Sequence, residues 1–133
     1  IKAIHGRIPK THLVMHGSSA VPQDWLAIIN EFGGEIPETY GVPVEQVAEG
    51  IKYGVRKVNI DTDLRLASTG SIRQFLAQNP AEFDPRKYFN ASLVAMRDIC
   101  VARYEAFGTA GNASKIKPLS LAKVQEAYSE GHF

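Results

Sequence analysis

The 133 residues contain one cysteine and no unbroken run of eighteen apolar residues, and their net charge is +1. Each shortage excludes something. A lone thiol, Cys100, rules out an internal disulfide framework, and its apolar neighbours Ile99 and Val101 mark it as a core thiol in a reducing compartment. Without a long apolar stretch there is no candidate membrane helix. Near-neutrality provides no sequence-wide basic field for nucleic acid. The chain has no Gly-rich phosphate loop, Cys-x-x-Cys pair, nucleophile elbow, internal repeat, low-complexity segment or visible signal-peptide pattern. The remainder is ordinary globular composition, 44% hydrophobic and 22% charged, at a length suited to one domain.

Two stretches stand out, VRKVNIDTDLR (Val55–Arg65) and HLVMHGSS (His12–Ser19). Each reads as a short apolar strand that ends in polar and small residues and then turns into a helix. Val55, Val58 and Ile60 are β-branched, and Asn59, Asp61, Thr62 and Asp63 arrive together where that strand should end. Upstream, Leu13, Val14 and Met15 run into His16, Gly17, Ser18 and Ser19. Polar residues gathered at the carboxyl ends of successive parallel strands mark the functional rim of an α/β fold.

In chain order, IKAIHGRIP opens in mid-pattern with Ile1 and Ile4 one turn apart. Residues 1–8 therefore read as the end of a helix stopped by Pro9, and the chain is expected to be a fragment. A strand is predicted over 12–16. Pro22 suits a first helical turn, and Trp25, Leu26, Ile28, Ile29 and Phe32 form a helical stripe closed by Gly33-Gly34. Glu35–Pro43 is too rich in Pro and Gly for regular structure. A short helix from Pro43 to about Tyr53 is expected to end at Gly54 as its cap, followed by a strand over 55–60. The next helix, Thr62 to Gln78, holds Gly70 in its interior, where a kink or break is expected because glycine costs about 1 kcal/mol relative to alanine. Asp84-Pro85 starts a long helix to Phe107 with Phe89, Leu93, Met96, Cys100 and Tyr104 at helical spacing. Gly108–Lys115 reads as a mobile segment, and Ser120 caps a terminal helix.

Two clear strands against four or five helices pose a physical problem. Parallel strands need cover on both faces and neighbours on both edges, and two of them do not make an independently stable sheet. The chain is thus read as a slice of a larger α/β architecture.

The residues that could carry chemistry each have a plain alternative. His16 at a strand lip is a good Zn²⁺ ligand, with Gly17 allowing close backbone approach; it equally suits a hydrogen bond at a turn. His5, His12 and His132 have no helpful spacing. Backbone N–H groups at the start of the helix after Asp61, with the Thr62 hydroxyl, could hold a phosphate, with Ser19 as the opposite lip; capping alone would also explain Asp61 or Thr62. Arg56, Lys57, Arg65 and Arg73 read as solvated flanks. Arg86 is an isolated first-turn cation, set slightly against the helix dipole, which invites an anion.

LVMHGSSAVPQ, GGEIPETYGVPVEQV, GIKYGVRKVNIDTDLRLASTG, FDPRKY and YEAFGTAGNASKIKPLSL together resemble class II, zinc-dependent fructose-1,6-bisphosphate aldolase, most closely its longer Calvin-cycle-type branch. The resemblance covers nearly the whole chain and implies the C-terminal part of a (β/α)8 TIM barrel. That part would be the last two βα units with the long helix (1–107), then the mobile segment and terminal helix (108–133). It implies a lyase of glycolysis, gluconeogenesis or the Calvin cycle, cytoplasmic or in a plastid stroma, cleaving fructose 1,6-bisphosphate to dihydroxyacetone phosphate and glyceraldehyde 3-phosphate.

By the same resemblance His16 is a zinc ligand, while Gly17 and Ser19 bind the ketose phosphate and, through backbone atoms, a monovalent cation (K⁺ or Na⁺). Asn59 contacts the dihydroxyacetone part and is the catalytic candidate. Asp61 and Thr62 close over its phosphate, and Arg86 reaches the neighbouring subunit's site in a homo-oligomer and binds the other phosphate. The remaining zinc histidines and the acid/base residues of the family have no counterpart in these residues, and Ala20 stands where a third serine is often seen. The implied partners are a sugar bisphosphate, the rest of the barrel and further copies of the chain, with neither nucleic acid nor membrane. Two rivals stay open: a tagatose- or sedoheptulose-bisphosphate aldolase, and a non-catalytic fragment.

Overall fold

The computed structural model describes residues 1–131; His132, noted above for its lack of helpful spacing, lies outside them. Chain order is α1 (Lys2–Arg7), β1 (Leu13–Met15), α2 (Gln23–Glu31), α3 (Val44–Ile51), β2 (Val55–Val58), α4 (Thr62–Gln78), α5 (Pro85–Ala106), a 3₁₀ turn (Ala113–Lys115) and α6 (Leu121–Ser129). Both strands are shorter than expected. β1 and β2 pair in parallel, with Leu13 beside Val55, Val14 beside Lys57 and Met15 beside Val58, and one irregularity between Leu13 and Val14. The ladder runs one step past β2, where Asn59 N–H donates to the Met15 carbonyl at 2.9 Å. This register leaves His16 and Asn59 side by side at the carboxyl end of the pair. Val55 is 1% exposed but Val14 is 54% exposed, because among the described residues the sheet has cover on one side and no third strand.

The core lies between α2 and α4. Leu26 and Ile29 of α2 meet Leu66 of α4 and Val21 of the loop after β1, with Trp25 and Ile36 packed against them. Pro22 sits at the N-cap of α2, one position before its first turn. α3 ends at Ile51 with Lys52 as cap; Gly54, at φ +88°, instead makes the left-handed turn into β2. Asn30 pins the irregular segment after α2, donating to the Ile36 carbonyl at 2.9 Å and accepting the Ile36 N–H at 2.8 Å.

α4 passes through Gly70 without the break that was one of the two expectations there. A Cβ at this position would fall 2.8 Å from Trp25 Cε3, so the glycine permits close approach of α2 rather than breaking the helix. Gly70→Ala is accordingly expected to destabilise the fold by about 1–3 kcal/mol through overpacking, opposed by about 1 kcal/mol of helix propensity. Thermal unfolding reads the balance, and a raised melting temperature would contradict the tight contact.

α5 also departs from its pattern. The stripe Phe89, Leu93 and Tyr104 is 58%, 60% and 58% exposed, while the helix buries Ser92 and Ala95. α5 meets α4 through small residues, with Ser68 and Ser92 hydroxyls 2.7 Å apart. Small side chains let the two helices approach closely, and the larger ones are turned outward. Cys100 is half-buried and lines an apolar groove of about 380 Å³ with Val55, Val58, Ile60, Ile99 and Phe107. α6 is capped as expected, Ser120 Oγ accepting the Lys123 N–H at 3.3 Å, and buries none of its residues. No described helix is long and apolar enough to cross a membrane.

Candidate functional site

The parallel register sets two turns against each other. After β1 the chain turns at Gly17, whose φ of +63° lies where glycine is favoured. Ser18 goes inward, 2% exposed, its hydroxyl donating to the Asn59 carbonyl at 2.8 Å and lying 3.3 Å from the Met15 carbonyl. One buried hydroxyl thus ties the two strand ends together. Ser19 faces the start of α4, its Oγ accepting the Asp61 N–H at 3.4 Å. Behind it, Val42 N–H donates to the Ser19 carbonyl at 3.0 Å, and a Cβ on Gly41 would fall 2.1 Å from that oxygen. The segment 35–43 therefore braces the serine turn through backbone contact that only a glycine permits.

His16 is exposed at the lip, and its Nε2 lies 3.3 Å from Asn59 Nδ2. Asn59 Nδ2 also lies 3.3 Å from the Met15 carbonyl, and Asn59 Oδ1 accepts from Lys57 Nζ. His16, Gly17, Ser19, Asn59, Asp61 and Thr62 are thus gathered on one rim.

Capping does not account for Asp61. It occupies the N-cap of α4, yet no side chain caps that helix. Its carboxylate instead takes Arg65, with Nε to Oδ1 and Nη2 to Oδ2 both at 2.9 Å. The uncapped helix start, where the Asp61 N–H meets Ser19 Oγ, is an arrangement suited to an oxyanion. Arg86 is not joined to this rim. It donates through Nε to both oxygens of Asp84, at 2.9 and 3.0 Å, and its side chain is 88% exposed. The Arg86 side chain, and then its N–H, hold the Asp84 carboxyl below the usual range, while Lys87 does the same for Glu82.

As a metal centre the rim is partial. Among the described residues no three His, Cys, Asp or Glu side chains are grouped to hold a cation. His16 fits one position of a coordination shell; the chain does not form the shell.

Three residues that tie this site together carry no role in the sequence reading: Ser18, Asp63 and Arg103. Asp63, 0% exposed, accepts the Val21 N–H at 2.9 Å on one oxygen and Arg103 Nη2 at 2.9 Å on the other. Val21 is β-branched at φ +54°, a conformation that costs about 1–3 kcal/mol and persists only where the surroundings hold it. The available signal was Arg103 on the inner face of α5, in step with Ser92, Ala95 and Ile99. A cation on a buried face requires a buried anion.

The family model "Fructose-bisphosphate aldolase class-II" matches residues 1–112. A fructose-bisphosphate aldolase of Pseudomonas aeruginosa is 79% identical over 131 residues, 98% of this chain and 37% of that protein. One from Nostoc sp. is 61% identical, and a fructose-bisphosphate aldolase class 2 of Synechocystis sp. 58%; each alignment covers 98% of this chain and 36% of the relative. The chain thus spans little more than a third of the length of the curated relatives it matches.

Proposed function

The chain belongs to the class II fructose-bisphosphate aldolase family, whose fold is a (β/α)8 barrel, and we propose that it supplies one side of the substrate site of such an enzyme. The reaction is reversible cleavage of the C3–C4 bond of fructose 1,6-bisphosphate, giving dihydroxyacetone phosphate and glyceraldehyde 3-phosphate. One observation carries this reading: the register places His16, Gly17 and Ser19 against Asn59, Asp61 and Thr62, with Ser19 Oγ in contact with the Asp61 N–H.

In this assignment the ketose phosphate lies between the Gly17–Ser19 turn and the first turn of α4, held by backbone N–H groups and the hydroxyls of Ser19 and Thr62. Carbonyls of the Gly17–Ser19 turn are suited to a monovalent cation beside it. Asn59 offers an amide to the oxygens of the dihydroxyacetone half, and His16, whose ring it touches, gives one ligand to zinc. Class II members are generally zinc-dependent, and bound zinc supplies Lewis-acid polarisation of the substrate ketone. The other ligands and the acid/base groups would come from the part of the relatives' length that this chain does not cover.

Arg86, exposed at the start of α5, is assigned to the second phosphate across a subunit interface. Arg86→Ala should then raise KM for the bisphosphate about tenfold, about 1.4 kcal/mol, with zinc content unchanged; zinc loss would contradict the assignment. The proposed reaction is tested with the full-length protein by comparing cleavage of fructose, tagatose and sedoheptulose bisphosphates with and without a chelator. Fructose 1,6-bisphosphate should be preferred and its cleavage lost on chelation. Faster cleavage of either rival, or indifference to the chelator, would overturn it.

A further inference from the structure

Resting on that reading of the rim, we infer that Asp63, with Arg103 as its counter-ion, is a positioning residue that holds the phosphate-binding turn in shape from behind. Asp63 is the third residue of the Asp61-Thr62-Asp63 run, yet it faces away from the rim and is fully buried. Its two oxygens have different tasks. One accepts the N–H of Val21, the residue that closes the turn carrying His16, Gly17 and Ser19; the other accepts Arg103 Nη2 from α5. Through one carboxylate the first turn of α4 is therefore fixed both to the opposite lip and to a helix forty residues further along the chain.

The geometry makes this more than ordinary packing. Val21 sits at φ +54°, where a β-branched residue does not rest unaided. Release of its N–H would let the backbone relax towards extended values. Ser19, two residues earlier, would move with it, and the Ser19 Oγ contact to the Asp61 N–H, at 3.4 Å already long, would open. The two lips of the phosphate site would separate while the core beneath them, Leu26, Ile29 and Leu66, stayed packed. Arg103 is 16% exposed and its buried Nε has no hydrogen-bond partner in the structure, so the cation depends heavily on Asp63. Without the carboxylate it would be left buried and uncompensated, and α5 would loosen at that point.

The test uses the full-length, zinc-loaded protein and two variants, Asp63→Asn and Arg103→Lys. Asparagine has one acceptor oxygen and an N–H₂ in place of the other, so it cannot accept from both the Val21 N–H and the Arg103 guanidinium; lysine keeps a charge but not the planar reach of guanidinium. KM and kcat for fructose 1,6-bisphosphate, the Kd for dihydroxyacetone phosphate by calorimetry and zinc content are measured together. A positioning role requires KM and Kd to rise at least tenfold in Asp63→Asn, kcat to change less than about threefold and zinc to stay at the wild-type level, with a smaller shift of the same kind in Arg103→Lys. A lowered melting temperature with unchanged KM and Kd would make the pair a structural support and overturn the inference; so would failure of both variants to fold. If the wild type neither cleaves the bisphosphate nor binds dihydroxyacetone phosphate, the reading of the rim fails, and the inference with it. An active wild type with Asp63→Asn indistinguishable from it removes the inference alone.

Discussion

His16→Ala in the full-length protein is expected to lower kcat for bisphosphate cleavage by about 1,000-fold or more, about 4 kcal/mol of transition-state stabilisation. The magnitude follows from what the ring is assigned to do. Removing one of the few protein ligands of a catalytic cation leaves a weakened shell, and zinc content should fall in parallel with activity. The fold should hardly register the change. His16 is exposed at the strand lip, and the neighbouring Met15 carbonyl keeps its backbone bond from the Asn59 N–H at 2.9 Å. Loss within about 0.5 kcal/mol of stability is the ordinary expectation for such a surface position. Full activity with normal zinc would return His16 to a turn histidine.

Asn59→Ala should cost about 100-fold in kcat, about 2.7 kcal/mol, with the barrel intact. The side chain and backbone of Asn59 have separable roles. Its N–H continues the ladder to Met15, and its carbonyl receives Ser18 Oγ at 2.8 Å; both survive truncation to alanine. What is lost is the amide that faces His16 Nε2 at 3.3 Å and, by assignment, the substrate. A cut in kcat with an unchanged melting temperature distinguishes this role from support of the turn. A thermal effect with normal kcat would confine Asn59 to that support.

The rim was legible in the sequence because strand and helix signals there are strong and local. β-branched runs ending in HGSS and NIDTD specify where each strand stops, and Thr62–Gln78 reads as the helix that forms. Legibility failed where a residue's role depends on a partner distant in the chain. Gly70 has the local signature of a helix breaker, and only the Trp25 ring on α2 shows why it is tolerated. The apolar positions of α5 imply a face, but Phe89, Leu93 and Tyr104 are exposed because α4 offers small residues to pack against instead. Asp63 was hidden by its neighbours: within a polar run at a helix start it looks like a cap or ligand, and its burial follows from Arg103, forty residues away.

The buried Asp63 carboxylate and the bare helix start converge on one central claim, that Gly17, Ser19, Asp61 and Thr62 enclose a phosphate. A crystal structure of the full-length protein with dihydroxyacetone phosphate tests it most directly. The expected result is a phosphate seated between the two turns, accepting from backbone N–H groups at the start of α4 and from the turn after β1, with Asn59 on the dihydroxyacetone oxygens. A phosphate bound elsewhere in the barrel, with these two turns still joined by the Ser19 to Asp61 contact, would contradict it.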